Sequence, residues 1–154
     1  MQKDTKQVLF ICTGNVCRSP MAEYLFRHRI GDHSGWESQS AGVFAGSGMA
    51  ASHSSVEALA DWNINLAPHR SQPLTRELAA ASDWIVVMTD QHLHDVVSQF
   101  PEAAPRVRLL TSFGTDGDTP DIPDPIGMSI HVYRTTRDRI DSAMADLILF
   151  LKEE

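Results

Sequence analysis

Short, continuous apolar runs alternate along the chain with segments in which apolar residues recur at spacings of three and four. A continuous run with β-branched side chains is typical of a strand buried on both faces, whereas the second pattern is typical of an amphipathic helix. The predicted strands cover residues 8–11, 84–88 and 107–110, and the alternating segment 36–40 adds a fourth. Helices are predicted from residue 19, from residue 54, after residue 75, over residues 93–100 and over residues 130–151.

Two of the predicted helix starts carry capping signals. Ser19-Pro20 offers an N-cap followed by proline at the first helical position. Ser54 and Glu57 have the spacing of a capping box, in which each side chain accepts from the backbone N–H of the other residue. The stretch 111–128 is rich in Gly, Pro and Asp, and it predicts a long loop.

Strands that alternate with helices predict an α/β fold, here a three-layer sandwich in which a four-stranded parallel sheet has helices on both faces. No internal repeat or linker divides residues 1–154, so we expect a single domain. Right-handed crossovers place the first strand beside a reversal of strand order, and α/β proteins bind ligands outside the carboxyl ends of strands at such points. Cys12 follows the first strand directly and is therefore expected at the binding site.

Composition and charge limit the kinds of molecule that the chain is expected to bind. The chain has 154 residues, of which 42% are hydrophobic, and this is enough for a core without disulfides. A formal net charge of -7 argues against binding to nucleic acid or to anionic membranes. The N-terminal apolar run is too short for a signal peptide, and two cysteines make no secreted disulfide framework. We therefore expect a cytoplasmic protein.

The segment between the first strand and the first helix carries the chemistry, and it reads Cys12-Thr13-Gly14-Asn15-Val16-Cys17-Arg18-Ser19. Backbone N–H groups of such a loop, with the positive end of the helix, favour a sulfur anion on Cys12 and can cradle a tetrahedral phosphate. Arg18 supplies a planar fork of donors that can grip two phosphate oxygens. Gly14 is expected to give the backbone the twist that the cradle needs. The spacing predicts a nucleophile, a phosphate cradle and a cationic clamp.

Other interpretations fit this segment less well. Two buried core thiols and a surface arginine would be the plainest one, but the order of strand, cysteine, arginine and helix start argues against it. A structural zinc site needs four ligands, so we predict no metal site; His92 and His94 would point to opposite sides of a helix and are expected in solvent. The chain has no Gly-x4-Gly-Lys nucleotide loop, and the acidic segment 116–119 is expected to be a solvated turn.

The stretch from Cys12 to Pro20 resembles the signature of the low molecular weight protein tyrosine phosphatases. The resemblance continues over nearly the whole chain, through Ser40-Ala41-Gly42, His69-Arg70-Ser71-Gln72, Asp124-Pro125 and a long C-terminal helix. It implies Cys12 as the nucleophile, Arg18 as the phosphate clamp and Asp124 as the general acid, with no cofactor. It further implies that Ser19 donates its hydroxyl to the thiolate, and that the residues bracing the loop are Asn15, Ser40 and His69.

The residues themselves also support an acid at Asp124. A leaving group needs a proton, and a rigidly held carboxylic acid is a usual donor. Pro123 and Pro125 fix the backbone on both sides of Asp124 and stiffen it. Without the resemblance, Asp121 would rank almost equal to Asp124.

Departures from the family pattern bear on the substrate. Members that favour phosphotyrosine usually have aromatic residues directly after the Asp-Pro pair, where this chain has Ile126-Gly127. Several stretches look closer to a bacterial branch of the family that includes protein arginine phosphatases. That branch typically has threonine at the position of Val16, whereas tyrosine-specific members have isoleucine there. Valine offers no oxygen to a guanidinium, so phosphotyrosine is the predicted substrate and phosphoarginine the alternative.

The sequence as a whole predicts a two-step phosphatase that acts on phosphorylated proteins and releases inorganic phosphate, and we expect a monomer. An arsenate reductase would need a further cysteine after Cys17, and the chain has none. A phosphate- or sulfate-binding module without turnover is a competing class. The presence of Cys12, Arg18 and Asp124 together argues against that class.

Overall fold

Four parallel strands form a sheet in which the first strand of the chain occupies an inner position. The computed structural model describes residues 5–31, 34–113 and 120–153. The strands are β1 (Lys6–Cys12), β2 (Trp36–Gly42), β3 (Trp84–Val87) and β4 (Val107–Leu109), in the spatial order β2-β1-β3-β4. Phe10 of β1 lies opposite Ser40 of β2 on one side and opposite Val86 of β3 on the other. The strand order therefore reverses beside Cys12, as predicted.

The described residues contain five α-helices. They are α1 (Arg18–Ile30), α2 (His53–Ala60), α3 (Arg76–Ala81), α4 (Asp90–Gln99) and α5 (Ile130–Lys152), and short 3-10 helices cover Pro101–Arg106 and Leu110–Ser112. Every predicted helix is present, although α4 begins three residues before the predicted start. Within the described ranges, no helix is long and apolar enough to cross a membrane.

Alternate side chains of β1 enter the two faces of the sheet. Val8 and Phe10 are fully buried in a core that also contains side chains of α1, α2 and α5. Leu9 and Ile11 are equally buried in a second core with side chains of α3 and α4. The period of two along the strand thus gives each face its own helical layer, and the predicted three-layer sandwich is confirmed.

The predicted start of α1 is wrong. The helix begins at Arg18 with Cys17 at the N-cap, so Pro20 is the third helical residue. Proline is tolerated there because the N–H groups of a first turn have no partner inside the helix. Within the described part of the chain, no side chain caps α1, and its first turn has no acidic residue.

The capping box predicted for α2 is also wrong. Ser52 is the N-cap, and its hydroxyl oxygen accepts from the backbone N–H of Ser55 at 3.3 Å. Ser54 already lies inside the helix. The backbone N–H of Ser52 donates to the carbonyl of Val16 at 2.9 Å. This tertiary contact favours Ser52 over Ser54 as the N-cap, and the local sequence pattern does not reveal it.

Residue 113 and residues 120–129, the described parts of the chain between the 3-10 helix at 110–112 and α5, are irregular, in agreement with the prediction. Residues 114–119, which include Asp116 and Asp118, lie outside the described residues. The part that returns to the sheet is anchored beside β3, because the N–H of Ile122 donates to the carbonyl of Met88 at 2.9 Å. This anchor brings Asp124 to the carboxyl end of the strands.

The end of β2 approaches the loop after β1 very closely. A Cβ atom added to Gly42 would lie 2.3 Å from the carbonyl oxygen of Thr13 and 2.7 Å from the Cβ of Ala45. Both distances are shorter than atoms of these types tolerate, so only glycine allows the approach. Gly42 thereby lets β2 support the loop from one side.

We expect Gly42→Ala to lower the free energy of unfolding by about 1–3 kcal/mol, because the extra methyl group forces the backbone of the loop to move. Urea unfolding measures this change. Gly46→Ala is the matched control, since a Cβ there would meet only the Met49 sulfur at 3.7 Å. Equal effects of the two substitutions would contradict the close approach as the cause.

Candidate active site

The loop from Cys12 to Ser19 joins the end of β1 to the first turn of α1. Neighbouring segments fix it by hydrogen bonds to three of its carbonyls: Val43 N–H donates to Cys12 O (3.0 Å), Phe44 N–H to Thr13 O (2.9 Å) and Ser52 N–H to Val16 O (2.9 Å). The first two donors follow β2 and the third precedes α2. The loop is therefore held from two sides.

The sulfur of Cys12 lies against Ser19. The two side-chain atoms, Sγ and Oγ, are 2.9 Å apart, and the backbone N–H of Ser19 donates to the same sulfur at 3.4 Å. The amide of Asn15 donates to the Ser19 oxygen at 2.9 Å, and the serine hydroxyl lies closer to the sulfur than to its other acceptor, the carbonyl of Ala41 at 3.5 Å. Cys12 itself is only 2% exposed. The arrangement suits a sulfur atom that carries negative charge.

Arg18 is a buried cation, 4% exposed, at the start of α1. Its Nη1 donates to the carbonyl of Ile122 at 3.0 Å, and its Nη2 donates to the hydroxyl of Thr13 at 3.4 Å. The same Nη2 lies 3.6 Å from the Oδ2 of Asp124. The Nε of Arg18 is buried and has no hydrogen-bond partner among the described residues. The structure therefore brings Arg18 and Asp124 together.

The carboxylate of Asp124 is 44% exposed and faces a cleft beside Arg18. Its Oδ1 accepts from the backbone N–H of Ile126 at 3.1 Å, which adds a local turn to the stiffness given by the two flanking prolines. Asp121 lines the same cleft but is engaged differently. Its Oδ1 accepts from the backbone N–H of Asp90, at the start of α4, at 2.8 Å.

The twist of the loop comes from Asn15 and not from Gly14. Asn15 has a φ of 57°, in the left-handed region, while an added Cβ at Gly14 would make only an ordinary contact at 3.8 Å. The expectation for Gly14 was therefore wrong. Asn15 is fully buried, and its Oδ1 accepts from the backbone N–H of Gln72 at 2.9 Å. Asparagine tolerates this conformation well, and its amide then links the loop to the segment around Gln72.

His69 and Ser40 stand behind the loop, and Glu23 connects them. The Nε2–H of His69 donates to the carbonyl of Asn15 at 2.8 Å, while the hydroxyl of Ser40 donates to Glu23 at 2.6 Å. Glu23 Oε1 lies 4.0 Å from Nδ1 of His69, and its other oxygen pairs with Arg27. Ser40 thus braces the loop indirectly. Sequence reasoning missed Glu23, although a lone acid on the apolar face of α1, four residues after Ser19, was a signal for it.

Cys17 is buried and Val16 is half-buried in the loop after β1. Cys17 Sγ donates to the hydroxyl of Ser52 at 3.4 Å and lies 3.5 Å from the hydroxyl of Tyr133. Burial, together with the hydrogen bond to Cys17, raises the pKa of Tyr133 to about 12. Val16 is partly buried against the core that contains α1 and α5.

His92 is buried, and the expectation that it lies in solvent was wrong. Its ring is 3% exposed, and Nε2 lies 2.9 Å from the hydroxyl of Thr13. Burial and the nearby charge of Arg18 lower the pKa of His92 to about 4, so the ring is neutral at physiological pH. His94 does face solvent and pairs with Asp90 on the same helix.

A cleft of about 840 Å³ opens above these groups. Its floor includes Thr13 and Arg18, and its walls include Phe44, Asp95 and Asp124. Phe44 is 86% exposed, which is unusual for a phenylalanine away from an interface or a ligand site. A substrate in this cleft would meet one buried cation, an aromatic ring and several carboxylates.

Comparisons with known proteins find similarity to phosphatases. A family model described as "Low molecular weight phosphotyrosine protein phosphatase" matches residues 7–154. The chain is 41% identical to a protein-arginine-phosphatase of Bacillus subtilis (strain 168), over 96% of this chain and 97% of that protein. It is 34% identical to the low molecular weight protein-tyrosine-phosphatase PtpB of Staphylococcus haemolyticus (strain JCSC1435), over 87% and 91%.

A solved structure gives the same result in three dimensions. The low molecular weight protein tyrosine phosphatase from T. tengcongensis aligns with a TM-score of 0.87 and 37% identity, over 94% of this chain and 98% of that one. The family model and these relatives cover most of the chain, in agreement with the resemblance seen in its sequence. The chain therefore belongs to the low molecular weight phosphotyrosine protein phosphatase family and is a phosphatase.

Proposed function

We propose that the chain dephosphorylates proteins at phosphotyrosine through a phosphocysteine intermediate on Cys12. The observation that carries this proposal is the position of the Cys12 sulfur at the end of β1, with the hydroxyl of Ser19 at 2.9 Å and the backbone N–H of Ser19 at 3.4 Å. Both groups favour the thiolate, which is the reactive form of cysteine.

The binding of the phosphate group is proposed to use two kinds of donor. Backbone N–H groups of residues 13–19, at the positive end of α1, are suited to the phosphate oxygens. Arg18 supplies charge and direction, and its Nε, unpaired among the described residues, is a free donor for one of these oxygens. An acidic chain with a net charge of -7 needs such a local positive site to hold an anion.

The first chemical step is an exchange of bonds at phosphorus. The Cys12 thiolate attacks phosphorus, a sulfur–phosphorus bond forms, and the bond to the tyrosine oxygen breaks. Asp124 gives its proton to the departing oxygen, while Arg18 balances the charge on the equatorial oxygens. The exposure of Asp124 to the cleft and its 3.6 Å distance from Arg18 support this assignment.

The second step returns the enzyme to its starting state. Asp124, now a carboxylate, takes a proton from a water molecule as the water oxygen attacks phosphorus. The sulfur–phosphorus bond breaks, inorganic phosphate leaves, and the Cys12 thiolate is restored. Residues of this chain and water account for every bond and proton in the cycle.

Side chains of the loop, of one cleft wall and of the segment after Asp124 support phosphotyrosine as the substrate. Val16 has no atom that could accept from a guanidinium, and an N–H group left unpaired costs about 1–3 kcal/mol. Phe44 is 86% exposed and offers a ring to a flat aromatic side chain. Ile126, which follows Asp124 by two residues and is 59% exposed, adds an apolar side chain.

Phosphoarginine is the second candidate, and two observations favour it. The Bacillus subtilis relative is a protein-arginine-phosphatase. In addition, the carboxylates of Asp95, Asp121 and Asp124 line the cleft, and carboxylates are the natural acceptors of a guanidinium. Overall identity does not separate the two substrates, because relatives with either activity in their names align over most of the chain.

We further propose that residues 1–154 form one domain that acts as a monomer in the cytoplasm, without a nucleic-acid or membrane partner. The absence of a linker from the sequence and its acidic net charge support this view. Light scattering of the purified protein and fractionation of cells test the two parts separately.

Cys12→Ser is expected to reduce turnover of an aryl phosphate at least a thousandfold, on the order of the losses seen when a nucleophile is replaced. Binding of inorganic phosphate should persist, because the loop and Arg18 remain. Steady-state rates and calorimetry measure the two properties. Turnover within about tenfold of wild type would remove Cys12 from the nucleophile role.

Asp124→Ala is expected to lower kcat/KM, which reports the leaving-group step and not the hydrolysis of the intermediate, by roughly 10²–10⁴ for phenyl phosphate, which needs a proton on its leaving group. The loss should be much smaller for p-nitrophenyl phosphate, whose leaving group departs as an anion. Asp121→Ala is the matched control from the same cleft, and we expect it to show no such dependence. An equal loss across leaving groups in Asp124→Ala would mean that Asp124 is structural.

Val16 substitutions decide between the substrates. We expect Val16→Ile to raise phosphotyrosine hydrolysis and Val16→Thr to shift the ratio towards phosphoarginine by roughly ten- to a hundredfold, because threonine restores an acceptor. Values of kcat/KM on matched phosphotyrosine and phosphoarginine peptides measure the ratio. A wild-type protein that prefers phosphoarginine would overturn the tyrosine assignment and leave the phosphatase chemistry intact.

A further inference from the structure

We propose that His92 is a positioning residue for the phosphate clamp: it fixes the hydroxyl of Thr13, and Thr13 in turn fixes the guanidinium of Arg18. The inference rests on the proposed function of Arg18. The contacts form a chain from helix α4 to helix α1, with 2.9 Å between His92 Nε2 and Thr13 Oγ1 and 3.4 Å between Thr13 Oγ1 and Arg18 Nη2.

The first step of the argument concerns the direction of these hydrogen bonds. A guanidinium has donors only, so Thr13 must accept from Arg18. A hydroxyl on its own rotates freely, and its lone pairs can then turn away from the arginine. His92 removes this freedom in either neutral tautomer, because its Nε2 either donates to the second lone pair of Thr13 or accepts the hydroxyl proton. One lone pair of Thr13 therefore stays aimed at Arg18.

The second step concerns the rigidity of His92. The residue lies in the first turn of α4, where its own N–H donates to the hydroxyl of Thr89 at 3.1 Å. Asp121 holds the same turn through the N–H of Asp90 at 2.8 Å. The residue is 3% exposed, so neighbouring atoms restrict the movement of the ring away from Thr13. His92 thus offers a fixed point to an otherwise mobile hydroxyl.

The third step is that packing alone does not explain a histidine here. Its Nδ1 is buried and has no hydrogen-bond partner among the described residues. Such a group destabilises the folded chain, and leucine would fill the space without that cost. The neutral ring also avoids a second positive charge beside Arg18, which would compete for the same oxygens. A polar, neutral and immobile group is what the positioning role requires.

The experiment compares four variants with the wild-type enzyme. His92→Leu and Thr13→Val each remove one contact, His92→Leu/Thr13→Val removes both, and His92→Gln places an amide near the position of Nε2. His94→Leu, on the exposed side of the same helix, is the matched control. The readouts are kcat/KM for p-nitrophenyl phosphate, calorimetric affinity for inorganic phosphate, and the thermal midpoint.

We expect His92→Leu and Thr13→Val each to lower kcat/KM and phosphate affinity by roughly ten- to a hundredfold, the range for a hydrogen bond to a charged group. The double variant should lose little more than either single one, because both act on the same contact. His92→Gln should recover to within about threefold of wild type. His94→Leu should match wild type.

Three results would overturn the inference: a His92→Leu enzyme within twofold of wild type, losses that multiply in the double variant, or His92→Gln as impaired as His92→Leu at an unchanged thermal midpoint. If His92→Leu does not fold, Thr13→Val and its rescue by Thr13→Ser decide the question. Phosphate affinity tests the clamp even without turnover. An inactive wild type that still loses phosphate affinity in these variants would therefore contradict the proposed function alone.

Discussion

The burial of one positive charge, that of Arg18, is the constraint on which the rest of the site depends. A guanidinium that is 4% exposed has lost most of its water and must find acceptors in the protein. Those acceptors come from two segments, Thr13 after β1 and the stretch with Ile122 and Asp124 before α5. By binding them, the arginine draws together the parts of the chain that carry the proposed nucleophile and the proposed acid.

The loop is held differently on its other side. There the Asn15 amide and the His69 ring make the contacts, and the carboxylate of Glu23 lies near Ser40, His69 and Arg27. A strong negative charge directly under the sulfur would oppose the thiolate. Glu23 is paired with Arg27, so its charge is balanced beneath the loop, and Arg18 is the buried cation at the cleft.

Most of the fold could be predicted because its signals are local. The buried run before Cys12 and the spacing from Cys12 to Arg18 lie within one short stretch of sequence. The failures are of a different kind. Ser52 rather than Ser54 caps α2 because of a contact with Val16, and His92 is buried because Thr13 lies above it in space. Glu23 was missed for the same reason, since its contacts with Ser40 and His69 join residues remote in sequence.

The start of α1 has a consequence for how the protein behaves in different buffers. Among the described residues, no side chain caps this helix and the Nε of Arg18 has no partner. The folded chain therefore keeps N–H donors that can bind an oxyanion. The unfolded chain does not hold these donors together. Any ion that binds only the folded state adds to its stability, by about 2.7 kcal/mol at a hundred times its dissociation constant. Inorganic phosphate, the product of the reaction, then also stabilises the folded state of the enzyme.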